Sequence, residues 1–340
     1  MKKYGWLITF SLLLHGLQAV EKPCCSATPD AGPRVACGIN MFLEADYILW
    51  TAREDGLAFV RSGINPGGNA AKGSVHHPNW QWSSGFKAGL GVNLPHDGWD
   101  VQGRYTFLHT RTAKKKITAN PNVSKEYHPT WSPGSTLNLN SGLLLSLEEA
   151  RSHWKLHFNV VDLELGRNFF VSHFLSLRPS FGLKGTWQDQ DYQVRYTSAA
   201  GPLYRLNMNQ DFWGIGLRLG LDSSYHLSKY WSFFGNIYFS ALWGQFDVHR
   251  KDREKQSFSA EDFVLLDRTN EFYTLKPVVE ACIGFRFDHW FCGNRWHLRL
   301  EAGWEEQLWF SQNQFFHSFE ESAHGDLSLQ GMTLKARLDF

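Results

Sequence analysis

The sequence predicts an all-β fold: a transmembrane antiparallel β-barrel of about ten strands, within a range of about 8 to 14. Three observations predict it. Apolar and polar residues alternate in many segments, the connections alternate between long and short, and only the first residues resemble a hydrophobic helix. The mean hydropathy is negative although 15% of the residues are aromatic. A barrel, whose apolar surface is spread over alternate residues, suits this composition better than a bundle of spanning helices.

The N-terminus predicts an export signal. Two lysines, Lys2 and Lys3, precede an apolar stretch at 4–14, and Ala19 follows shortly after it. This order is typical of a secretory signal peptide over residues 1–19, cleaved after Ala19. The apolar stretch is too short to cross a membrane as a helix, and a signal anchor is the alternative interpretation.

Three of the five cysteines, Cys24, Cys25 and Cys37, lie in residues 20–38, which we interpret as a periplasmic leader. An odd cysteine count leaves at least one thiol free or paired with another molecule. In the oxidising periplasm these three could link the chain to neighbouring envelope proteins by disulfides, and unpaired or locally paired cysteines are the alternative. No Cys/His set has the spacing of a zinc site, so we expect neither a metal nor a cofactor.

Ten segments alternate apolar with small or polar residues at a period of two, which is the period of a strand. The last one ends the chain on an aromatic residue, Phe340. About ten residues of tilted strand cross the hydrocarbon layer of a bilayer. The predicted strands lie at 39–50, 82–94, 99–107, 154–165, 175–183, 213–221, 231–243, 279–287, 296–304 and 331–340.

Three local features follow from the pattern. In the fourth segment the apolar phase changes after Val160, which predicts a β-bulge there. Pro179 has no backbone N–H, so it predicts a bulge or a strand end in the fifth segment. Gly98 closes the sequence 95–98 and predicts a tight turn with a positive φ.

The connections between these strands alternate in length, with long ones at 53–79, 112–153, 188–211, 244–273 and 310–329. Transmembrane barrels show the same alternation, with short periplasmic turns on one rim and long extracellular loops on the other. We therefore expect residues 39–340 to form one barrel in the bacterial outer membrane.

Tryptophans lie near both kinds of connection, which predicts two aromatic girdles at the membrane interfaces. Those near short connections are Trp99, Trp231, Trp290 and Trp296, and those near long ones are Trp50, Trp80, Trp154, Trp187, Trp213, Trp243 and Trp309.

Several longer stretches resemble the Legionella major outer membrane protein family, which has members in environmental chlamydiae. They are LEADYILWTAREDGLAF, DGWDVQGRYTFLH, NVVDLELGRNFFVS, LSLRPSFGLKGTW and EAGWEEQLW, and the resemblance spans about residues 39–340. That family is regarded as pore-forming, so the resemblance implies a porin-like barrel in the outer membrane. It implies neither a catalytic residue set nor a defined solute.

If the apolar faces meet lipid, the charged faces line the interior. A water-filled interior of this kind would pass ions or small hydrophilic solutes by diffusion, and charges of both signs predict weak ion selectivity. The alternative is a structural or adhesin barrel that does not conduct, because side chains can largely fill a barrel of about eight to ten strands. The predicted pore-lining residues are Glu44, Asp46, Lys87, Asp100, Arg104, Arg178, Lys184, Arg218, Asp222, Glu280, Arg286, Arg299, Glu301, Lys335 and Arg337.

Other functions find less support in the sequence. A balance of 34 basic against 33 acidic residues gives no electrostatic footprint for nucleic acid. Barrel hydrolases need an Asp/His or Ser/His set, and no spacing ties His76, His77, His109, His249 and Ser83 together, so we expect no enzyme. The expected partners are the lipid bilayer and the outer-membrane insertion machinery, for which Phe340 would end the assembly signal.

Overall fold

The computed structural model describes residues 30–36, 39–63, 73–95, 97–119, 127–132, 147–198, 201–256, 261–317 and 324–340. The predicted signal peptide and Cys24, Cys25 and Cys37 lie outside the described residues. Within them no helix is long and apolar enough to cross a membrane. Ten long strands form the wall: β1 Met41–Glu54, β2 Trp82–Asn93, β3 Trp99–Arg111, β4 Leu147–Arg167, β5 Leu175–Ser198, β6 Leu203–His226, β7 Trp231–Lys255, β8 Asp262–Phe291, β9 Trp296–Asn313 and β10 Gly325–Asp339.

The ten strands close into a ring in which every neighbouring pair is antiparallel. Strand β1 pairs with β2 on one side and with β10 on the other, so the described part of the wall has no free edge. The register is staggered around the ring. A path that starts at Phe42 and steps each time to the directly opposite residue of the next strand returns to β1 at Glu54, twelve residues further along. Such a stagger tilts the strands, by about 35–45° in barrels of this kind.

The two faces of the wall follow the alternation in the sequence. On β6, for example, Ile215 and Leu217 are exposed outwards while Arg218 is buried inside. The apolar outer band suits contact with lipid. All ten predicted strands are therefore present, and the fold class is confirmed.

Two predicted loops are shorter than expected. The sequence predicts loops at 188–211 and 244–273. In the structure β5 continues to Ser198 and β6 begins at Leu203, and β7 continues to Lys255 while β8 begins at Asp262. There the outward side chains, such as Asp191, are polar, whereas inward ones such as Tyr192 and Val194 are apolar or aromatic. The apolar residues therefore change from the outer to the inner face while the backbone pairing goes on. The wall consequently extends well beyond its apolar band on the side of the long connections.

The predicted bulge at Val160 is wrong. Strand β4 pairs continuously with β3 and β5 through Val160 and Val161, with no register shift there. The phase changes because the inward residues change in character: Phe158 and Val160 point inwards, and so do Asp162 and Glu164 further along.

Two further sequence predictions concern Pro179 and Gly98, which lie near the short connections. The predicted bulge or strand end at Pro179 is wrong, because Pro179 lies within β5 and pairs with Leu221 of β6 without a register shift. The pairing of β5 with β4 begins at Ser180, so no β4 residue lacks a hydrogen-bond partner because of the missing N–H. Asp97 and Gly98 have φ values of 52° and 74°, and two successive positive φ values are the mark of a tight hairpin turn. The turn prediction for Gly98 is confirmed.

Candidate functional site in the barrel interior

The interior has two halves, which we call the turn-end half and the loop-end half after the connections on each rim. The fifteen charged residues predicted to line a pore all point inwards, most of them in the turn-end half. Their location agrees with the alternation, and a pore-lining role stays a prediction.

One ion network joins β3 to β8 across the turn-end half. Arg178 makes a two-pronged contact with Asp100, at 2.6 and 2.9 Å, and a 2.9 Å contact with Asp222. Arg218 donates to Glu164 at 2.9 Å and to Glu280 at 2.5 Å. Paired guanidinium and carboxylate groups of this geometry are strong and directional.

The opposite side of the same half holds further pairs. Glu44 accepts from Arg104 and from Lys335, both at 2.9 Å. Lys87 contacts Glu305 at 2.6 Å. Together with the first network, these contacts span the interior from several sides, so the charges hold each other instead of facing open water.

Interior carboxylates that were missed as lining residues include Asp162, Glu164 and Glu305. They are the partners of Lys184, Arg218 and Lys87. The signal for the first two was present, because both alternate with Val161, Leu163 and Leu165, and the assumed bulge at Val160 hid it. Their presence gives a network in which acid and base alternate.

The loop-end half is apolar and aromatic. Phe158 packs edge-on against Trp309, with ring centroids 5.4 Å apart. Trp154 donates its indole N–H to Gln190 at 3.1 Å, so even the polar atom of this ring is satisfied. The side chains of this apolar plug are buried to 2% exposure or less: Trp50, Leu57, Phe59, Trp131, Trp154, Leu156, Phe158, Tyr192, Tyr196, Leu206, Phe246, Trp309 and Phe315.

The plug corrects part of the girdle prediction. Trp50, Trp154 and Trp309 were expected at the membrane interface, yet they point inwards and are fully buried. Trp187, Trp213 and Trp243 are about half exposed on the outer face, where a girdle belongs. Proximity to a long connection did not reveal on which face of the wall a tryptophan lies.

Loop segments complete the plug. The hydroxyls of Tyr192 and Tyr196 donate to the backbone carbonyls of Leu57 and Phe59, at 2.8 and 2.6 Å. Arg250 is fully buried, pairs with Asp252 at 2.7 Å and donates to the carbonyls of Phe316 and Ser132. Side chains of the wall therefore hydrogen-bond three separate loop segments inside the loop-end opening of the barrel.

The leader segment 30–36 crosses the other mouth. Its backbone forms hydrogen bonds to three different short connections of the barrel. Ala31 donates to the carbonyl of Asn168, and Ala36 donates to the carbonyl of Asn294 at 2.8 Å. The carbonyl of Pro33 accepts a hydrogen bond from the side chain of Asn93 at 3.1 Å. Val35 is buried at 7% exposure. The segment therefore lies beneath the ion networks as a cover.

Between plug and cover remains a small polar cavity of about 100 Å³, lined by residues of the ion networks, by Cys282 and by Pro33. A single water needs roughly 10–15 Å³ of such space, so the cavity can hold several water molecules. This space is far smaller than a hydrated channel through a barrel.

The residues considered for catalysis do not assemble into a cleft. Ser83 donates to Thr110 at 2.8 Å, and His109 packs against the ring of His157. His249 meets Asp267 at 2.8 Å on the open outer wall, where hydrogen bonds from Lys251 and His249 hold the pKa of Asp267 below its usual value. In the described residues, no group of three His, Cys, Asp or Glu side chains could hold a metal ion.

A closed ring of antiparallel strands with an apolar outer band and aromatic girdles defines an outer-membrane β-barrel protein. Residues 41–340 match the family model described as Legionella pneumophila major outer membrane protein precursor. The chain belongs to this family, which confirms the resemblance found in its sequence, and its location is the bacterial outer membrane. No curated protein matches it.

Solved structures of outer-membrane proteins are similar at low identity. The outer membrane protease OmpT from Escherichia coli is 10% identical, with a TM-score of 0.40 over 89% of this chain and 97% of that one. The toluene transporter TbuX from Ralstonia pickettii is 10% identical (TM-score 0.28, 88% and 89% covered), and a FadL homologue from Pseudomonas aeruginosa is 7% identical (TM-score 0.29, 88% and 89% covered). Likenesses this distant carry no argument about function.

Proposed function

We propose that this outer-membrane barrel is a closed structural element that presents its long loops at the cell surface and does not conduct solutes in the state described. The observation that carries the proposal is double closure: the apolar plug fills the loop-end half, and the leader segment 30–36 covers the turn end. The cavity between them is lined by residues of the ion networks, and the described side chains of the plug are buried.

The interior charges support a structural role. A charge that lines a water-filled channel stays hydrated, whereas Lys184 and Arg218 are 1% and 2% exposed and each is held by carboxylates. Burying such charges is costly unless they are paired and hydrogen-bonded, and here they are. The networks therefore act as struts that brace opposite walls of the barrel.

A diffusion channel, as predicted from the sequence, is the second candidate. It is favoured by the polar character of the turn-end half and by the nature of its cover, which is a peptide segment and not part of the wall. Displacement of the leader would expose the ion networks to water. The apolar plug would still have to move before solutes could pass.

Planar bilayer recording of the refolded full chain separates the two candidates. We expect an electrically silent bilayer, with a known porin reconstituted in parallel to show that the assay reports pores. Gel migration of unheated samples would confirm that the inserted protein is folded. Stepwise conductance that rises with protein added would overturn the closed-barrel proposal and support the channel.

A variant that lacks residues 30–36 then tests the cover by itself. Continued silence means that the apolar plug closes the barrel, as we propose. Conductance that appears only in this variant would assign the closure to the leader and favour a gated channel.

We further propose that the chain is not an enzyme, on the basis of the scattered positions of Ser83, His109 and His249. Loss of a measurable hydrolytic activity on changing His109 or Ser83 to alanine would contradict this.

Insertion and envelope contacts remain proposals from the sequence. Phe340 would end the signal read by the insertion machinery, and its ring lies 5.7 Å from that of Trp296 at the end of the closing strand. Deleting Phe340 should lower the amount of this protein at the cell surface, while the molecules that do insert should keep their folded structure. A normal amount of the variant at the surface would refute the role. A disulfide ladder on non-reducing gels should disappear when Cys24, Cys25 and Cys37 are all changed to serine.

A further inference from the structure

A row of basic side chains crosses the outer wall near the loop-end rim. Arg151, Arg195, Arg205 and Arg253 stand directly opposite one another on the adjacent strands β4 to β7. Lys116, in the short strand Lys115–Thr118, is paired opposite Arg151 and extends the row. We call these five residues the basic row.

All five side chains point away from the barrel interior. Arg151 and Lys116 are 52% exposed, and Arg205 is 34% exposed. Neighbouring strands are about 4.8 Å apart, so five positions side by side give a straight band about 19 Å long. This length and regular spacing match an extended polymer better than a single small anion.

Without a bound partner, the basic row lowers the stability of the folded barrel. Like charges directly opposite each other on adjacent strands destabilise the pairing. Two carboxylates offset part of the charge: Glu149 contacts Lys116 and Arg151, and Asp262 contacts Arg205 at 3.0 Å. Among the described residues, Arg195 and Arg253 have no ion-pair partner. A surplus of positive charge therefore remains along the band.

The position of the row separates it from the lipid. Arg195 and Arg205 lie eight residues beyond Trp187 and Trp213 of the outer girdle, which is about 27 Å along the strands and about 20 Å above the girdle after tilt. Nearer the girdle, Asp189, Asp211, Asp247 and Glu271 form an acidic row on β5 to β8. An anionic partner is repelled at the lower level and attracted at the upper one.

From this geometry we propose that the basic row binds an anionic saccharide chain, through its closely spaced sulfate, phosphate or carboxylate groups. Arginine suits such groups because its planar fork donates two parallel hydrogen bonds to one anion. The chain can belong to the glycolipid that surrounds the barrel in the outer leaflet or to a soluble glycan outside the cell. The chemistry of recognition is the same for both, and the row is independent of whether the barrel conducts.

Binding of the folded full chain in detergent to dextran sulfate, with neutral dextran as the blank, tests the soluble source. Lipopolysaccharide vesicles that keep their core phosphates test the glycolipid source. The decisive variant is Arg195→Ala with Arg253→Ala, because neither side chain supports an internal ion pair. We expect binding to at least one anionic probe, weakened about fivefold or more in this variant and weakened further by added salt.

The matched control is Lys229→Ala with Arg295→Ala, which removes the same charge from exposed positions at the turn end. The control should bind like the unchanged protein, which separates a local site from general charge attraction. Arginine-dependent binding to either anionic probe supports the proposal and identifies its source. No binding to either probe, equal loss in control and test variants, or binding unaffected by both changes would overturn it.

Discussion

The two halves of the barrel interior are built by the same strands but follow different physical rules. On β4 the inward residues change from Phe158 and Val160 to Asp162 and Glu164 within six positions. The first pair belongs to the apolar plug, and the second belongs to the ion networks. Wall geometry is constant across this boundary, so side-chain chemistry alone determines how each half is filled.

This difference indicates which interactions stabilise each half against substitution. In the loop-end half, stability depends on volume, because a missing ring leaves a cavity whose lining loses contacts. In the turn-end half it depends on pairing, because a buried charge that loses its partner is not fully rehydrated inside the barrel. A substitution to alanine should consequently destabilise the protein in both halves, through a cavity in the loop-end half and through an unpaired charge in the turn-end half.

The largest effect should come from Arg218→Ala. This change removes a buried basic partner of both Glu164 and Glu280, which keep only Arg178 and Lys184 respectively. We expect a loss of about 3–5 kcal/mol in the free energy of unfolding, measured by urea titration in lipid vesicles.

A compensated variant sharpens this result. Adding Glu164→Gln and Glu280→Gln to Arg218→Met removes this arginine together with its two carboxylates, while Arg178 keeps Asp100 and Lys184 keeps Asp162. Most of the stability should therefore return. A loss below about 1 kcal/mol in Arg218→Ala would mean that water reaches the carboxylates and that the half is open.

A somewhat smaller effect, about 3 kcal/mol, is expected for Phe158→Ala. The ring is fully buried against Trp309, so its removal leaves an apolar void. Such voids stay dry and bind small apolar molecules. Benzene should therefore restore part of the unfolding free energy of Phe158→Ala and none in Arg218→Ala, and equal responses would erase the distinction between the halves.

The leader cover should respond by about 1 kcal/mol to Asn93→Ala, which removes the hydrogen bond to the carbonyl of Pro33. Amide hydrogen exchange at residues 31, 32 and 34–36 should become about fivefold faster while the plug amides stay unchanged. Unchanged exchange at 31–36 would show that other contacts hold the segment.

The smallest effect is expected outside the interior. Arg205 and Asp262 form an ion pair on the outer wall with about a third of each side chain exposed. Arg205→Ala should cost about 0.5 kcal/mol or less by the same urea titration, because exposed pairs contribute little. A loss comparable to that of Arg218→Ala would mean that exposure does not separate the two kinds of pair.

The sequence predicted the strands well because each strand has one apolar face towards lipid. The period of two in Trp82–Asn93 or in the last strand needs no knowledge of partners. The same signal fails at 188–198 and 244–255, where the outer face becomes polar and the apolar residues, such as Tyr192 and Phe246, point inwards.

The site was predicted in part. Charged residues opposite an apolar face, such as Lys184 and Arg218, could be placed inside from alternation alone. Their pairing could not, because the partners lie 22 to 96 positions away in sequence. The plug escaped prediction for a similar reason: an inward tryptophan such as Trp154 and an outward one such as Trp187 look alike beside a loop.

Thiol labelling of the two cysteines in the barrel tests the closed interior most directly. Cys282 points into the small cavity, whereas Cys292 is exposed in the turn between β8 and β9. In a background with Cys24, Cys25 and Cys37 changed to serine, a small hydrophilic thiol reagent should modify Cys292 readily and reach Cys282 only after unfolding. Modification of Cys282 in the folded, inserted protein at the rate of Cys292 would contradict the account and show that the interior is open to water.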